Sequence, residues 1–332
     1  MAGRDRLVRV IDALAEVFAD LSAGRTRSPA RTIIEHGAHD SYGGVHGPRR
    51  QLLAGTAVWE RRGVGSVKIT TLTPDNPDRG LPLIHGVVVL TDLDTGRITA
   101  LLDGAELTAV RTGAVAGLAT RLCAPEDAED LAVLGAGVQA RALVRAVSAV
   151  RPIRSVRVFS RTRARTETFA EWIRATAGRP DSSGRPVEVS VCDTARDAVA
   201  DAAVICTATS TDDPTPLVAA DWVAPGAHIN VIGGTHEDAI EVDPALLASA
   251  FVVVEERAAA LEDAGEVRAA LADGLIGVAE LHELGALVTG VTGVTGASAA
   301  DGRTSVFRGV GMAIEDTAAA AALHEAASTE AG

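Results

Sequence analysis

The chain has 332 residues, enough for two domains of ordinary size. Its composition, 47% hydrophobic and 23% charged, is globular and excludes a disordered or collagen-like chain. A net charge of −13 excludes the basic footprint of a nucleic-acid binder.

The N-terminal stretch MAGRDRLVRVIDALAEVFADLSAG has apolar residues at helical spacing and a stop at Gly24. Acids interrupt its apolar stripe, so it does not read as a secretory signal. No apolar run has membrane-spanning length, and a cytoplasmic location is expected. Cys123, Cys192 and Cys206 form no C-x-x-C pair, which suits a reducing compartment. ARTIIEHG and GSVKITTLTP predict strands, with GAHDSYGGVHGPRR a loop between them. LIHGVVVLTDLDTGRITALLDG predicts a hairpin around Asp94-Thr95-Gly96. AELTAVRTGAVAGLATRLCA predicts a long helix ending before Pro125.

From Leu131 onward strands and helices alternate, as in a doubly wound sheet. The expected fold class is α/β: a Rossmann-type doubly wound parallel sheet plus a split α+β substrate and dimerisation domain. The boundaries expected are 1–126 for the first domain and 127–300 for the dinucleotide-binding domain, with 301–332 returning to the first domain. FRGVGMAIEDTAAAAALHEAA reads as the closing helix.

Gly135-Ala136-Gly137-Val138-Gln139-Ala140 fits G-x-G-x-x-[GA] between a strand and a helix. Gly135 makes the tight turn, Gly137 admits a pyrophosphate, and Val138 and Gln139 open the helix that faces it. An acid about 20 residues on would bind the ribose hydroxyls of NAD. Here the second strand ends in Ser160, Arg161, Thr162 and Arg163. A hydroxyl beside guanidinium groups suits a 2′-phosphate, so NADP(H) is favoured and NAD(H) remains open. The ends of later strands should wall the nicotinamide: Thr207, Ala208 and Thr209 in ICTATS, then Asn230 and Ile232 in HINVIGG.

Four segments in series, GSVKITTLTPDNPDRGLP, LLDGAELTAVRTGAVAGLAT, LAVLGAGVQARAL and GRTSVFRGVGMAIED, resemble the ornithine cyclodeaminase/mu-crystallin family from about Ala30 to the C-terminus. The resemblance implies a homodimer and hydride chemistry on a small amino or imino acid. Arg111 is placed for a two-pronged carboxylate contact. By resemblance Arg111 and Thr112 serve substrate and cofactor phosphate, and Arg31 is a second carboxylate-binding arginine. Lysine is very rare in the chain, and Lys68 sits mid-strand among apolar neighbours. Burial there should lower its pKa and let it exchange protons with an imine or amine nitrogen; the resemblance makes it the catalytic lysine. His85 is a candidate for the substrate pocket, as is Val310 by resemblance.

Ornithine cyclodeaminases are expected to carry an Asp directly after the Gly-Gly pair. Here Thr235 follows Gly233-Gly234, and by register Asp238 matches an acid of the reductase-like members. A hydroxyl there leans toward plain hydride transfer. Three readings remain: an NAD(P)H-dependent imine reductase or amino-acid dehydrogenase, a cyclodeaminase releasing ammonia with catalytic NAD, or a non-catalytic small-ligand binder. His36-x-x-His39-Asp40 with His46 lacks regular backbone to fix its spacing, so no metal is expected. Residues 36–62 depart from the family, and Tyr42, His46 and Trp59 could shape the pocket there.

Overall fold

Helical and two-residue periodicities in the sequence build two compact units, one comprising Met1–Ala19 with Thr112–Gly311, the other Asp20–Arg111 with Met312–Gly332. The computed structural model describes residues 2–39, 45–176, 186–210, 215–234, 239–290 and 302–331. The expected fold class holds: a parallel sheet in one unit and a separate antiparallel sheet in the other.

The smaller unit is a six-stranded antiparallel sheet of β1 (Thr26–Arg27), β2 (Thr32–His39), β3 (Val45–Trp59), β4 (Val64–Leu72), β5 (Ile84–Asp92) and β6 (Ile98–Asp103). Both β1 and β2 pair with β3, which then leads through β4 and β5 to β6. The 15-residue β3 corrects the loop expected between the first strands, since Val45 and His46 pair with His39 and Ala38 of β2, and Arg50 pairs with His36. Gly47 and Pro48 fall where that register shifts, so these turn formers sit at an irregularity of the ladder to β2.

On β4, alternation sends Ser66, Lys68 and Thr70 to one face and Val67 and Ile69 to the other. The first face is covered by the closing helix, Ala313–Ala331. Ser66 and Thr317 share a hydroxyl hydrogen bond of 2.7 Å, and a Cβ at Gly55 would stand 3.3 Å from that of Ala313. The second face stays apolar and exposed, from Val67 at 37% to Leu101 at 68%.

The larger unit holds eight parallel strands: β7 (Asp130–Leu134), β8 (Ser155–Phe159), β9 (Glu188–Val191), β10 (Val204–Thr207), β11 (His228–Val231), β12 (Phe251–Val254), β13 (Leu281–Glu283) and β14 (Ser305–Arg308). Their order is β13-β12-β14-β11-β10-β7-β8-β9. Order reverses at β7, where open α/β sheets bind ligands at the carboxyl ends of the strands.

The closing helix expected from Phe307 onward is corrected at its start. Ser305–Arg308 insert as β14 between β11 and β12, and the helix begins only at Ala313. The first helix, α1 (Ala2–Ser22), runs mostly with the larger unit rather than with the residues that follow it. Asp12 pairs with Arg121 of α2 (Gly104–Cys123) at 2.6 Å, and Arg4 donates to the Ala149 carbonyl at 3.0 Å. Arg151 caps α2, donating to the carbonyls of Thr120, Arg121 and Ala124 at 2.8–2.9 Å.

In the smaller unit, Asp20 accepts hydrogen bonds from Trp59 Nε1 at 2.7 Å, Arg25 Nε at 2.8 Å and Arg61 Nε at 2.6 Å. Trp59 is thus a core residue, 1% exposed, rather than a pocket wall. Burial alone would raise the Asp20 pKa, but the bonds from Trp59 and Arg25 and the Arg61 charge outweigh it and leave it lowered. Its stabilising effect is complete above the unfolded value of about 4 and is lost as pH falls through the lowered folded value. Asp20→Asn should cost about 2 kcal/mol at pH 7 and flatten the loss of stability below pH 4, both read from urea melts across pH.

Candidate active site

Lys68 is the only lysine in the chain, so all 30 other residues of the Lys+Arg total of 31 are arginine. Its side chain, 17% exposed, lies within 2.7 Å of Asp316 Oδ2 and donates to Thr108 Oγ1 at 3.4 Å. Burial lowers its pKa, the Arg111 charge lowers it further, and Asp316 and Glu315 offset part of the fall. Arg111 Nη1 meets Glu315 Oε2 at 2.7 Å, and its Nε stands 3.4 Å from Asp316 Oδ1. Two cations and two carboxylates thus share one buried cluster.

The carboxylates were not singled out from the sequence. Their signal is an adjacent acid pair in the first turn of an alanine-rich helix. Acids in a first helical turn face the positive end of the helix dipole. Glu315 adds a hydrogen bond from the Met312 amide to its Oε1 at 2.9 Å.

Arg31 is exposed one residue before β2. The Thr32↔Ala54 pairing puts it on the row that continues through Gly55 to Lys68, about 10 Å away by strand spacing. His85 pairs with Thr71 and lies on the face opposite Lys68, whose partner on β5 is Val88. An odd offset from Val88 is the reason, so Lys68 and His85 are not brought together. His36 is exposed on β2, and Tyr42 and Asp40 lie outside the described residues.

In the larger unit, Gly135 has φ +115°, and a Cβ there would meet the Ala208 carbonyl oxygen at 2.3 Å. Only glycine fits so close an approach. Gly137 caps the helix α3 (Val138–Val150) without a side-chain bond, and its Cβ position opens on empty space. Val138 is 67% exposed, and Gln139 keeps a buried side-chain oxygen that no described residue engages. Uncapped amides and open space together fit a dinucleotide pyrophosphate. Gly113 lets α2 cross α3 closely, since a Cβ there would meet Ala142 at 2.8–2.9 Å. Thr112, buried beside that glycine, is therefore held next to the first turns of α3.

Ser160 shares a hydrogen bond of 2.7 Å with Thr166 and donates to the Thr162 carbonyl at 3.3 Å. Arg163 is committed elsewhere, to Glu167 at 2.9 Å and to Asp193. Arg161 is exposed and, among the described residues, has no carboxylate partner.

The strand ends past β10 and β11 differ from expectation in one respect. Asn230 is fully buried and turns its amide to Thr120 Oγ1 at 3.0 Å and its oxygen to His228 Nε2 at 3.2 Å, into the core. Parallel-strand alternation makes it the inward neighbour of Val231, so its side chain is spent on the core. Ile232 and Ala208, by contrast, are partly exposed and pack on the same core cluster as Ala136 of the glycine turn.

Behind this wall lies a charged network that sequence reading missed. Glu241, fully buried, accepts from Thr207 Oγ1 at 2.7 Å, Thr209 N at 2.8 Å and Thr209 Oγ1 at 2.5 Å. Burial raises its pKa against those bonds. Its amide donates to Glu266 Oε1 at 2.8 Å, and Glu266 pairs with Arg308 Nε at 3.1 Å. Arg308 donates in turn to the carbonyls of Gly233 and Gly234, both at 2.8 Å. Glu255 accepts from the amides of Val310 and Gly311 at 3.1 and 2.8 Å. Thr235 and Asp238 lie outside the described residues.

The model of the ornithine cyclodeaminase/mu-crystallin family matches residues 4–331. The Delta(1)-pyrroline-2-carboxylate reductase of Bacillus cereus is 32% identical over 320 residues, 96% of this chain and 91% of that protein. The same-named reductase of Thermococcus litoralis, solved in complex with NADH and L-proline, has a TM-score of 0.84 at 30% identity over 98% of this chain and 94% of its own. An archaeal alanine dehydrogenase dimer with bound NAD has a TM-score of 0.82 at 26% identity, over 98% and 93% respectively. By a match that runs nearly end to end, the chain belongs to the ornithine cyclodeaminase/mu-crystallin family.

Proposed function

We propose that the protein is an NAD(P)H-dependent imine reductase, exchanging hydride with Cα of a small imino or amino acid. Lys68 carries this reading: the single lysine of an arginine-rich chain, desolvated and paired to Asp316 beside Arg111. Arginine keeps its charge at every working pH, whereas a desolvated lysine can release a proton. Likeness to two pyrroline-2-carboxylate reductases supports a cyclic imino acid as substrate.

The dinucleotide, when bound, supplies or accepts the hydride; Gly135, Gly137, Gln139 and Thr112 would hold its pyrophosphate. Arg111 takes the substrate carboxylate through its planar fork, with Arg31 as a second contact. Lys68 keeps the imine nitrogen protonated, which makes Cα a better hydride acceptor, and takes the proton back in the reverse direction. Val310 and Thr235 are the proposed pocket residues. Thr235 offers a hydroxyl where amine-binding deamination calls for a carboxylate. Cys123, Cys192 and Cys206 form no disulfide, which fits a cytoplasmic enzyme.

The test follows nicotinamide absorbance and free ammonia together. Five- and six-membered cyclic imino acids are offered with NADPH or NADH, and ornithine, lysine or alanine with the oxidised forms. Stoichiometric loss of reduced nicotinamide supports the reductase; ammonia from ornithine without net nicotinamide change overturns it in favour of a cyclodeaminase. Lys68→Met and Lys68→Arg should both lower kcat/KM by about 10² to 10⁴, since arginine restores charge without the proton.

We assign a preference for the 2′-phosphate of NADP(H) to Arg161, with Ser160 and Thr162 beside it, because Arg163 is held by Glu167. Arg161→Ala should raise KM for NADPH about tenfold and leave that for NADH within about twofold. Equal effects on both would remove Arg161 from cofactor choice.

The exposed sheet face supports a homodimer. Ile34, Leu52, Val67, Ile69, Ile98 and Leu101 are each 37–68% exposed on one face of the sheet, and clustered apolar exposure of this kind marks an interaction surface. Light scattering at micromolar protein should give twice the chain mass, and Ile69→Glu with Leu101→Glu should give a monomer; a monomeric wild type refutes the dimer.

A further inference from the structure

The two cations of the Lys68–Arg111 cluster are served by consecutive residues of one helix. Glu315 Oε2 takes Arg111 Nη1 at 2.7 Å while its Oε1 closes the first helical turn on the Met312 amide at 2.9 Å. Asp316 Oδ2 takes Lys68 Nζ at 2.7 Å. Successive side chains leave a helix about 100° apart, so one turn reaches both β4 and α2. Both carboxylates are at most 1% exposed, so water does little to dilute either pairing.

The groups around Lys68 are few. Across the sheet it is flanked by Gly55 and Val88, neither of which titrates, with Arg31 beyond Gly55 on the same row. Thr108 and Arg111 face it from α2, and Glu315 and Asp316 face it from the closing helix. Of these, Asp316 is the carboxylate in direct contact with the ammonium. Taking its charge away leaves burial and Arg111, and both favour neutral lysine. Neutralising Glu315 instead leaves the Lys68–Asp316 contact in place but releases the Arg111 fork from its main anchor.

We propose that these neighbours divide the work of the site: Asp316 is a positioning residue that keeps the proton on Lys68, and Glu315 is a positioning residue that aims Arg111 at the substrate carboxylate. The inference rests on the imine-reductase reading for its kinetic half only. Its electrostatic half concerns Lys68 directly.

Because Lys68 is the only lysine, protein grown on lysine labelled with ¹³C at Cε gives one side-chain signal whose pH titration reads that residue alone. Asp316→Asn should move the Lys68 titration and the alkaline limb of kcat/KM down by about 1 unit or more, with a smaller change in KM. Glu315→Gln should move the titration by less than about half a unit and raise KM for the imino acid about tenfold. Asp316→Glu keeps the charge and should restore the wild-type titration. If Asp316→Asn does not fold, Asp316→Ser serves as a second neutral variant.

A Lys68 titration unchanged in Asp316→Asn and Asp316→Ser overturns the proposal. So do equal changes of KM and of limb position in Asp316→Asn and Glu315→Gln, which would mark a merely structural cluster. A shifted titration in a protein that reduces no imino acid would retire the reductase reading instead and leave the ion-pair assignment standing.

Discussion

The smaller unit is organised around charge neutrality in a place that water scarcely reaches. Lys68, Arg111, Glu315 and Asp316 come from β4, α2 and the closing helix, three elements separated by up to some 250 positions in the chain. Moving an ion out of water costs several kcal/mol, so no member of the set is stable there alone. That requirement docks the closing helix on the sheet with a fixed rotation. The Ser66–Thr317 bond and the close approach over Gly55 follow from the same docking. An apolar helix could cover the sheet as firmly, but it would leave lysine without the acid that tunes its proton.

The larger unit solves a related problem at the carboxyl edge of its parallel sheet. Strand ends there carry backbone groups that no neighbouring strand satisfies, yet a dinucleotide needs those loops to be rigid. Glu241, Glu266, Arg308 and Glu255 supply the missing partners from behind. The glycine turn then has a firm surface to close against, with the Ala208 carbonyl where a Cβ at Gly135 would fall. Half-satisfied, such a network would be worse than an apolar wall, so its bonds to the strand ends matter more than their number.

Reading by periodicity succeeded where one rule governs a segment. The β7 strand, glycine turn and α3 are all local, and each residue's preference agrees with the fold. It failed where distant partners decide. Residues 45–50 look like a loop because Gly47 and Pro48 interrupt them, and the pairing of Val45, His46 and Arg50 with β2 makes the stretch part of a strand. Asn230 reads as a cofactor contact from its place near a strand end, but alternation commits it to Thr120. His85 lies on the strand next to that of Lys68, three positions from its partner Val88, and faces the other way.

The sequence by itself determined the α/β class, the glycine turn, the family and the singular status of Lys68, because composition, spacing and motif order are properties of the chain alone. Tertiary structure decided which charges meet. Glu315 and Asp316 are unremarkable acids on an alanine-rich helix until folding brings them to Arg111 and Lys68. Likewise, Arg308 is one arginine among 30 until β14 inserts between β11 and β12 and turns it toward Glu266. Coulomb interactions depend on distance and burial, and neither is written in a one-dimensional pattern.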